Sequence, residues 1–200
     1  MPGIDHLGQI QKSIERLNND YNEDLKLLRT GFNPNPFHIR LQHADHVHAT
    51  RESLGYVLAL LCSKTEVNTK RACDILETVL ALQDKDPSSE TFGIWSWYYE
   101  EPLDQMLRPD FNWADFNGKL LILMAKYHSD QLSEKLREDL KESIFNACKA
   151  IMKRDVGIDY TNIAIMDTLV TIMAGEYYRH QPFIDYGINK LRAFHRNIIR

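Results

Sequence analysis

The fold is decided by residues 118–154, GKLLILMAKYHSDQLSEKLREDLKESIFNACKAIMKR. Residues 118–127 would be nearly apolar on every side of a helix, whereas residues 133–154 would carry one apolar stripe against a charged face. A helix that is apolar all round is buried, and a striped helix faces water on its polar side. The stretch therefore predicts a buried helix followed by a surface helix, joined by a short connection.

The same alternation occurs in three consecutive pairs of helical segments. These segments are predicted at residues 46–63 and 67–83, 115–129 and 133–153, and 161–179 and 182–199. Three buried helices that alternate with three surface helices indicate an inner layer wrapped by an outer layer, as in α/α solenoids and toroids built from helical hairpins. The predicted fold class is all-α, an incomplete (α/α) toroid of three helical hairpins with an extra N-terminal amphipathic helix.

The N-terminal region has a different pattern. Apolar residues at spacings of three and four predict one long amphipathic helix over residues 4–29, packed on its own domain. Two prolines within residues 31–38, GFNPNPFH, preclude a continuous helix. The predicted organisation is an N-terminal amphipathic helix over residues 1–30 and an α/α hairpin domain, a partial toroid, over residues 31–200. No run of alternating β-branched residues indicates a sheet.

Composition and charge exclude several classes of partner. The formal net charge is -4, and acidic and basic residues alternate without a basic block, so we expect neither nucleic acid nor membrane as a partner. The longest apolar runs are too short to span a bilayer, and the N-terminus lacks the pattern of a signal peptide. The three cysteines, Cys62, Cys73 and Cys148, read as free buried thiols in a reducing compartment. The expected location is cytoplasmic.

One segment interrupts the helical pattern, residues 91–117, TFGIWSWYYEEPLDQMLRPDFNWADFN. It contains all three tryptophans of the chain together with five carboxylates and two asparagines. Flat apolar rings beside acids and amides suit a cleft for a polyhydroxylated ligand, and a simple connection would be shorter and more polar. We therefore predict a binding site in this segment.

Three polar clusters are predicted to meet at one rim, because every inner helix of a hairpin array starts at the same end. They are residues 45–52, the end of the segment 91–117, and residues 159–162. The residues predicted to bind substrate are Arg51, Trp95, Trp97, Tyr98, Asn112, Trp113, Asn117 and Asn162. Purely structural roles are the alternative, because Asp45, Asp115 and Thr161 also fit helix N-caps and the tryptophans could pack the loop onto the helix ends.

No metal or cofactor is predicted. The spacing of His38, His43, His46 and His48 matches no standard zinc pattern, and no cysteine lies nearby in sequence. A phosphate-binding glycine loop, a G-x-S-x-G motif and a CxxC motif are all absent from the sequence. One of these histidines is instead a candidate for proton transfer or hydrogen bonding.

Four motifs resemble a known family in their order along the chain. They are TRESLGYVLALL at 50–61, ILETVLALQDKDPSSETFGIWSWYYEEPLDQM at 75–106, DFNWADFNGKLLI at 110–122 and DYTNIAIMDTLVTIMAGE at 159–176. The chain resembles the N-terminal half of six-hairpin glycosidase-like (α/α)-toroid proteins, which are related in architecture to heparinase-type polysaccharide lyases and to glycoside hydrolases. The resemblance implies an oligo- or polysaccharide partner. A full toroid has six hairpins, so we also expect self-association or a missing C-terminal half.

The sequence is compatible with two reactions, hydrolysis and elimination, and with two functions that involve no catalysis. Hydrolysis needs two carboxylates, and the candidates are Glu100 or Glu101 with Asp110 or Asp115. Elimination from a uronic acid needs an Asn or Arg and a proton acceptor, and the candidates are Asn112, Asn162, Tyr160, His46 and His48. A non-catalytic binding module is the second hypothesis. A structural scaffold is the third, and it predicts that all three tryptophans are buried with no cleft beside them.

Overall fold

The computed structural model describes residues 6–198. Seven α-helices dominate these residues: α1 His6–Asn18, α2 Thr50–Ser63, α3 Glu66–Ala81, α4 Trp113–His128, α5 Glu134–Arg154, α6 Thr161–Tyr178 and α7 Gln181–Ile198. Three short strands, β1 Tyr21–Asn22, β2 Leu27–Thr30 and β3 Val47–His48, form one antiparallel sheet in the order β1-β2-β3. A 3-10 turn, Ser129–Gln131, joins α4 to α5. Within the described residues, no helix combines the length and apolar character needed to cross a membrane.

The pairing of the three predicted helical pairs is confirmed, but the first helix starts at Thr50 rather than residue 46, because residues 47–48 form strand β3. Helix α2 packs on α3, α4 on α5, and α6 on α7, and the first members of the pairs also contact each other in the order α2, α4, α6. The apolar stripe of α5, from Leu136 to Ile151, is buried as predicted. Residue 199, the predicted end of the last helix, lies outside the described residues.

Local chemistry fixes the ends of these helices. The hydroxyls of Thr65 and Ser133 accept hydrogen bonds from the backbone N–H groups of Asn68 and Leu136, capping α3 and α5. Helices α2, α5 and α6 end at residues in the left-handed conformation, Lys64, Asp155 and Arg179. These caps make the connections within each hairpin short.

The prediction of one helix over residues 4–29 is wrong. Helix α1 ends at Asn18, and β1 pairs with β2 in the register Tyr21↔Leu28. The Asn22 carboxamide accepts hydrogen bonds from the backbone N–H groups of Asp24 and Leu25, which stabilises the turn between the strands. Asn and Asp residues at 18–20 compete with helical hydrogen bonds through their side chains, so the helix stops there. Residues 4 and 5 lie outside the described residues.

The sheet also corrects the expectation that strands are absent and that residues 1–30 are a helix alone. Strand β2 packs against α2 and α3, and its other edge pairs with β3, Arg29↔His48. Helix α1 packs against α2, as expected for an amphipathic helix of the same domain. Helix α1 and strand β2 therefore pack on the first hairpin.

The long segment between α3 and α4 is tied to this sheet. Residue Thr50 donates its backbone N–H to the Trp97 carbonyl at 3.1 Å, and Tyr99 donates to the His48 carbonyl at 2.9 Å. Gly93 has φ +85, and a side chain there would collide with the backbone carbonyl of Asn146, so only glycine fits. A small second core packs the segment down, formed by Ile39, Val47, Ala49, Tyr98 and Met106. The segment is thus a folded wall at one end of the helices.

Candidate functional site

The starts of α2, α4 and α6 meet at one rim. The Trp113 indole donates from Nε1 to the Thr50 hydroxyl at 3.1 Å, which joins the first turns of α4 and α2. The Asn112 amide donates from Nδ2 to the Tyr160 hydroxyl at 3.2 Å and accepts at Oδ1 from Arg154. The three segments expected to converge therefore do so. The residues that precede the helices, Ala49, Asn112 and Tyr160, make no side-chain cap bond.

The tryptophans predicted to bind substrate pack against the protein. Trp95 is 0% exposed and donates from Nε1 to the Val79 carbonyl at 2.8 Å, so it is a core residue and the prediction for it is corrected. Trp113 is buried and stacks on Trp97 with ring centroids 4.7 Å apart and planes 15° apart. The His38 ring lies 5.1 Å from the Trp97 ring. These contacts use the ring faces that a sugar would need.

Two more predicted site residues lie in the interior. Asn117 is fully buried, and its amide atoms have no hydrogen-bond partner among the described residues. Asp115 is 1% exposed and faces Asp167 of α6. Burial, followed by the hydrogen bond and the charge of Asp167, raises the pKa of Asp115 to about 9. Both residues are corrected from rim residues to interior residues.

Glu100 and His48 form the best-defined pair at the rim. His48 is buried and contacts Glu100 Oε1 through Nδ1 at 2.5 Å, and its backbone N–H donates to Glu100 Oε2 at 2.9 Å. Asn22 Nδ2 lies 3.0 Å from His48 Nε2. Because Asn22 Oδ1 already accepts two backbone N–H groups, its Nδ2 must be the donor, and His48 Nε2 must accept. The proton of His48 therefore sits on Nδ1 and points at Glu100.

The remaining predicted carboxylates differ in their surroundings. Glu101 is 4% exposed; its Oε1 accepts from the Arg40 backbone N–H at 2.5 Å, and its Oε2 has no hydrogen-bond partner among the described residues. Asp110 is buried, accepts from the Asn112 backbone N–H at 3.0 Å, and lies 3.9 Å from His38 Nε2. Only Glu100, with a side chain 31% exposed, combines a defined partner with access to solvent.

The other predicted residues lie at the surface or in the small second core. His46 is exposed, and its ring meets that of His48 at 5.8 Å. Arg51 lies over the rings of Trp113 and Phe116 in cation–π contacts. Asn162 is exposed, whereas Tyr98 is buried in the small second core, where burial raises its pKa.

Two grooves lie on either side of residues 99–105, a segment that we call the ridge. The larger groove, about 850 Å³, is lined by Leu82, Gln83, Asp84, Glu90, Thr91, Ser96, Tyr99, Glu100, Pro102, Leu103, Asp104 and Gln105. The smaller, about 590 Å³, is lined by Arg40, Leu41, Glu100, Glu101, Asp104 and Gln105. Glu100, Asp104 and Gln105 border both. Within segment 91–117, the exposed carboxylates are thus those of the ridge, Glu100 and Asp104.

Sequence reasoning missed several residues of these grooves. Tyr99 is 41% exposed and is the aromatic ring that lines the larger groove, yet the tryptophans drew the prediction. Asp104 is one of the five carboxylates of segment 91–117, and only the folded structure shows that it lies in the grooves. Arg40 of the smaller groove and Asn22, the hydrogen-bond partner of His48, are far from the ridge in sequence, and no sequence signal connects them to it.

A cysteine and a histidine meet at the opposite end of the inner helices. Cys62 Sγ lies 3.6 Å from His128 Nε2, and Gln131 Nε2 lies 3.1 Å from His128 Nδ1. Gln131 Nε2 also donates to the Leu61 carbonyl, so it is an N–H group, and His128 Nδ1 must accept from it. His128 therefore carries its proton on Nε2 and cannot take one from Cys62. Burial also raises the pKa of Cys62 and lowers that of His128, so this pair is structural.

Within the described residues, no group of three His, Cys, Asp or Glu side chains is placed to hold a metal ion. Comparison with known proteins gives one match, to a family model described as a domain of unknown function (DUF8769), over residues 10–194. No curated protein and no solved structure matches the chain.

Proposed function

The chain belongs to this family of unknown function, and we propose that it is a carbohydrate-active domain that binds a glycan along the ridge and cleaves it by hydrolysis. The observation that carries this proposal is the carboxylate of Glu100, held by His48 and open to solvent between two grooves. Tyr99 offers an exposed ring beside it for stacking on a sugar. Carboxyl groups, an amide and an aromatic ring are the groups with which proteins bind and cleave sugars.

The two adjacent glutamates fit the two roles of glycoside hydrolysis. Hydrolysis requires one carboxyl group that gives a proton to the leaving oxygen and one carboxylate that activates water or attacks the sugar. Glu101 borders the smaller groove beside Glu100 and is the candidate for the second carboxyl group. Glu100 is fixed by two N–H donors of His48 and faces solvent, which suits the carboxylate role. Asp110 and Asp115 are buried and engaged elsewhere, so we do not assign them a role in the reaction.

Hydrolysis is tested with single variants and a panel of neutral, amine-bearing and uronic-acid oligosaccharides. We expect new reducing ends from the wild type, and a loss of kcat of more than about 100-fold in Glu100→Gln, well beyond any loss of affinity. Glu138→Gln, an exposed residue of α5, is the matched control and should behave as the wild type. No new reducing ends with any substrate, or full activity of Glu100→Gln, would contradict the proposal. Ultraviolet-absorbing products would indicate elimination instead.

A non-catalytic binding module is the second candidate. It is favoured by the bonds from His48 to both oxygens of Glu100, because they leave neither oxygen without a partner for attack or proton transfer. In this case the same panel gives binding without any product, and Glu100→Gln weakens binding itself. The structural scaffold is less well supported, since Trp95 and Trp113 are buried as it predicts but grooves lie beside the segment.

We also propose that the three hairpins are arranged as part of an (α/α) toroid. The common rim of α2, α4 and α6 supports this, as do the exposed side chains of Ile165 and Leu169 on α6. In a toroid, a further hairpin or a second copy would cover that side of α6. Sedimentation at increasing protein concentration tests for a second copy: a dimer that Leu169→Glu abolishes supports it, and a monomer at every concentration argues against it.

A further inference from the structure

The walls of the larger groove carry one sign of charge. Asp84, Glu90, Glu100 and Asp104 line it, and among the described residues that border it there is no Lys, Arg or His. Burial opposes ionisation of Asp84, but hydrogen bonds from Ser89 and Thr91 outweigh it and hold the pKa of Asp84 below its ordinary value. A groove lined by one sign of charge raises the local concentration of ligands of the opposite sign.

The smaller groove contains an independent sign of a missing donor. Glu101 is 4% exposed and borders this groove, one of its oxygens is bonded to the Arg40 backbone N–H, and the other has no hydrogen-bond partner among the described residues. A buried carboxylate oxygen without a donor is unfavourable. A ligand N–H group would satisfy it, and a positively charged one would do so most strongly.

We propose that the glycan bound along the ridge is an amino sugar oligomer with free amino groups, bound as ammonium ions beside Glu100, Glu101 and Asp104. This inference rests on the proposed function and names its substrate class. Each ammonium has three N–H donors, and carboxylate oxygens are acceptors for them. In the larger groove a uronic acid would bring a carboxylate among side chains of like charge, and an N-acetylated sugar would bring no charge at all. The smaller groove holds three acidic side chains against one basic side chain, that of Arg40.

The ligand class is tested by titrating the whole protein with three oligomers of the same length. They are a glucosamine oligomer, an N-acetylglucosamine oligomer and an oligogalacturonate, each measured by calorimetry at low and at high salt. We expect the glucosamine oligomer to bind at least about tenfold more tightly than the N-acetylated one, with binding weakened by salt, and the oligogalacturonate not to bind.

The outcomes separate this inference from the proposed function. Equal or tighter binding of the N-acetylated oligomer or the oligogalacturonate overturns the amine preference and leaves a glycan-binding domain. Binding of none of the three, or binding of a lysine-rich peptide alone, overturns both.

Variants locate the effect. We expect Asp104→Asn, an exposed change that leaves the core intact, to reduce the preference for the amine-bearing oligomer by at least about threefold. Glu101→Gln should reduce it further, with folding confirmed by circular dichroism. Glu138→Gln on α5 serves as the charge-matched control. An unchanged preference in both ridge variants would overturn the inference.

Discussion

Replacing Asp115 by Asn should stabilise the protein at neutral pH. Asp115 of α4 and Asp167 of α6 are both buried where α4, α6 and α7 meet. Lys190 Nζ of α7 lies 2.7 Å from Asp167 Oδ2, in an ion pair without hydrogen-bond alignment, and 2.8 Å from Asp155 Oδ1. Lys190 thus compensates Asp167, and Asp115 shares the site as the carboxyl group that keeps its proton.

The magnitude follows from the shift in the pKa of Asp115. Burial and Asp167 raise this pKa from 3.8 to about 9, although Arg154 and Lys190 act in the opposite direction. A pKa raised in the folded state gives stability that is full below the unfolded value and is lost as the pH rises to the folded value. Between the unfolded pKa and pH 7 lie about 3 pH units, and each costs about 1.4 kcal/mol, so the stability lost at pH 7 is about 4 kcal/mol. Asparagine has nearly the same shape as aspartic acid and is neutral in both the folded and the unfolded state. Asp115→Asn should therefore raise the free energy of unfolding by about 2 to 4 kcal/mol.

The assay is urea unfolding, followed by tryptophan fluorescence, at pH 5, 7 and 8.5. We expect the gain of Asp115→Asn to increase with pH over this range, because only the wild type loses stability through this group. Asp167→Asn is the control: it leaves Lys190 with one buried partner fewer and should destabilise by about 3 kcal/mol. The reasoning is refuted if Asp115→Asn is less stable than the wild type at pH 7 and keeps the same dependence on pH.

Three further predictions concern the packing and the site. Gly187→Ala should destabilise the protein by about 1 to 3 kcal/mol, because the new Cβ would lie 2.5 Å from Ile172. Gly55→Ala, which has open space around it, should stabilise the protein by about 0.5 to 1 kcal/mol. Urea denaturation measures both variants, and equal effects would contradict the packing of α6 on α7. Cys148, fully buried with a strongly raised pKa, should resist alkylation until the protein unfolds; labelling at the rate of an open thiol would show that this core is wrong. Trp95→Phe loses the indole hydrogen bond to the Val79 carbonyl, so it should destabilise the protein by about 1 to 3 kcal/mol without changing glycan affinity. Tyr99→Ala should weaken glycan binding by at least about tenfold with little loss of stability. The reverse pattern in calorimetry would exchange the roles of the two residues.

The helical hairpins could be predicted from the sequence because burial is periodic along a helix. Apolar character on all sides of residues 118–127 is sufficient to place α4 inside, and the stripe of residues 133–154 is sufficient to place α5 outside. The same rule failed over residues 4–29. There the apolar residues Tyr21 and Leu28 continue the helical spacing, but they lie opposite each other on paired strands. Short strands are held by long-range pairing, which no local period reveals.

The rim could be predicted, but the exposed residues at the rim could not. The order of the helices is enough to bring the segments before α2, α4 and α6 together. Which side chain faces solvent depends on contacts between residues far apart in sequence. Trp95 lies in the core, where its indole donates a hydrogen bond to the Val79 carbonyl, and Glu100 is oriented by His48, which is 52 positions away in the sequence. Residue type alone therefore favoured the tryptophans over Tyr99.

Amide hydrogen exchange, measured with and without a saturating mixture of glucosamine and N-acetylglucosamine oligomers, locates ligand binding most directly. We predict slower exchange in residues 99–105 and in residues 40–41 when the oligomers are present, because these segments form the walls of the two grooves. Exchange at the Cys62 end of the helices should not change. Unchanged exchange at the ridge, or protection confined to another surface, would contradict a glycan site at Glu100.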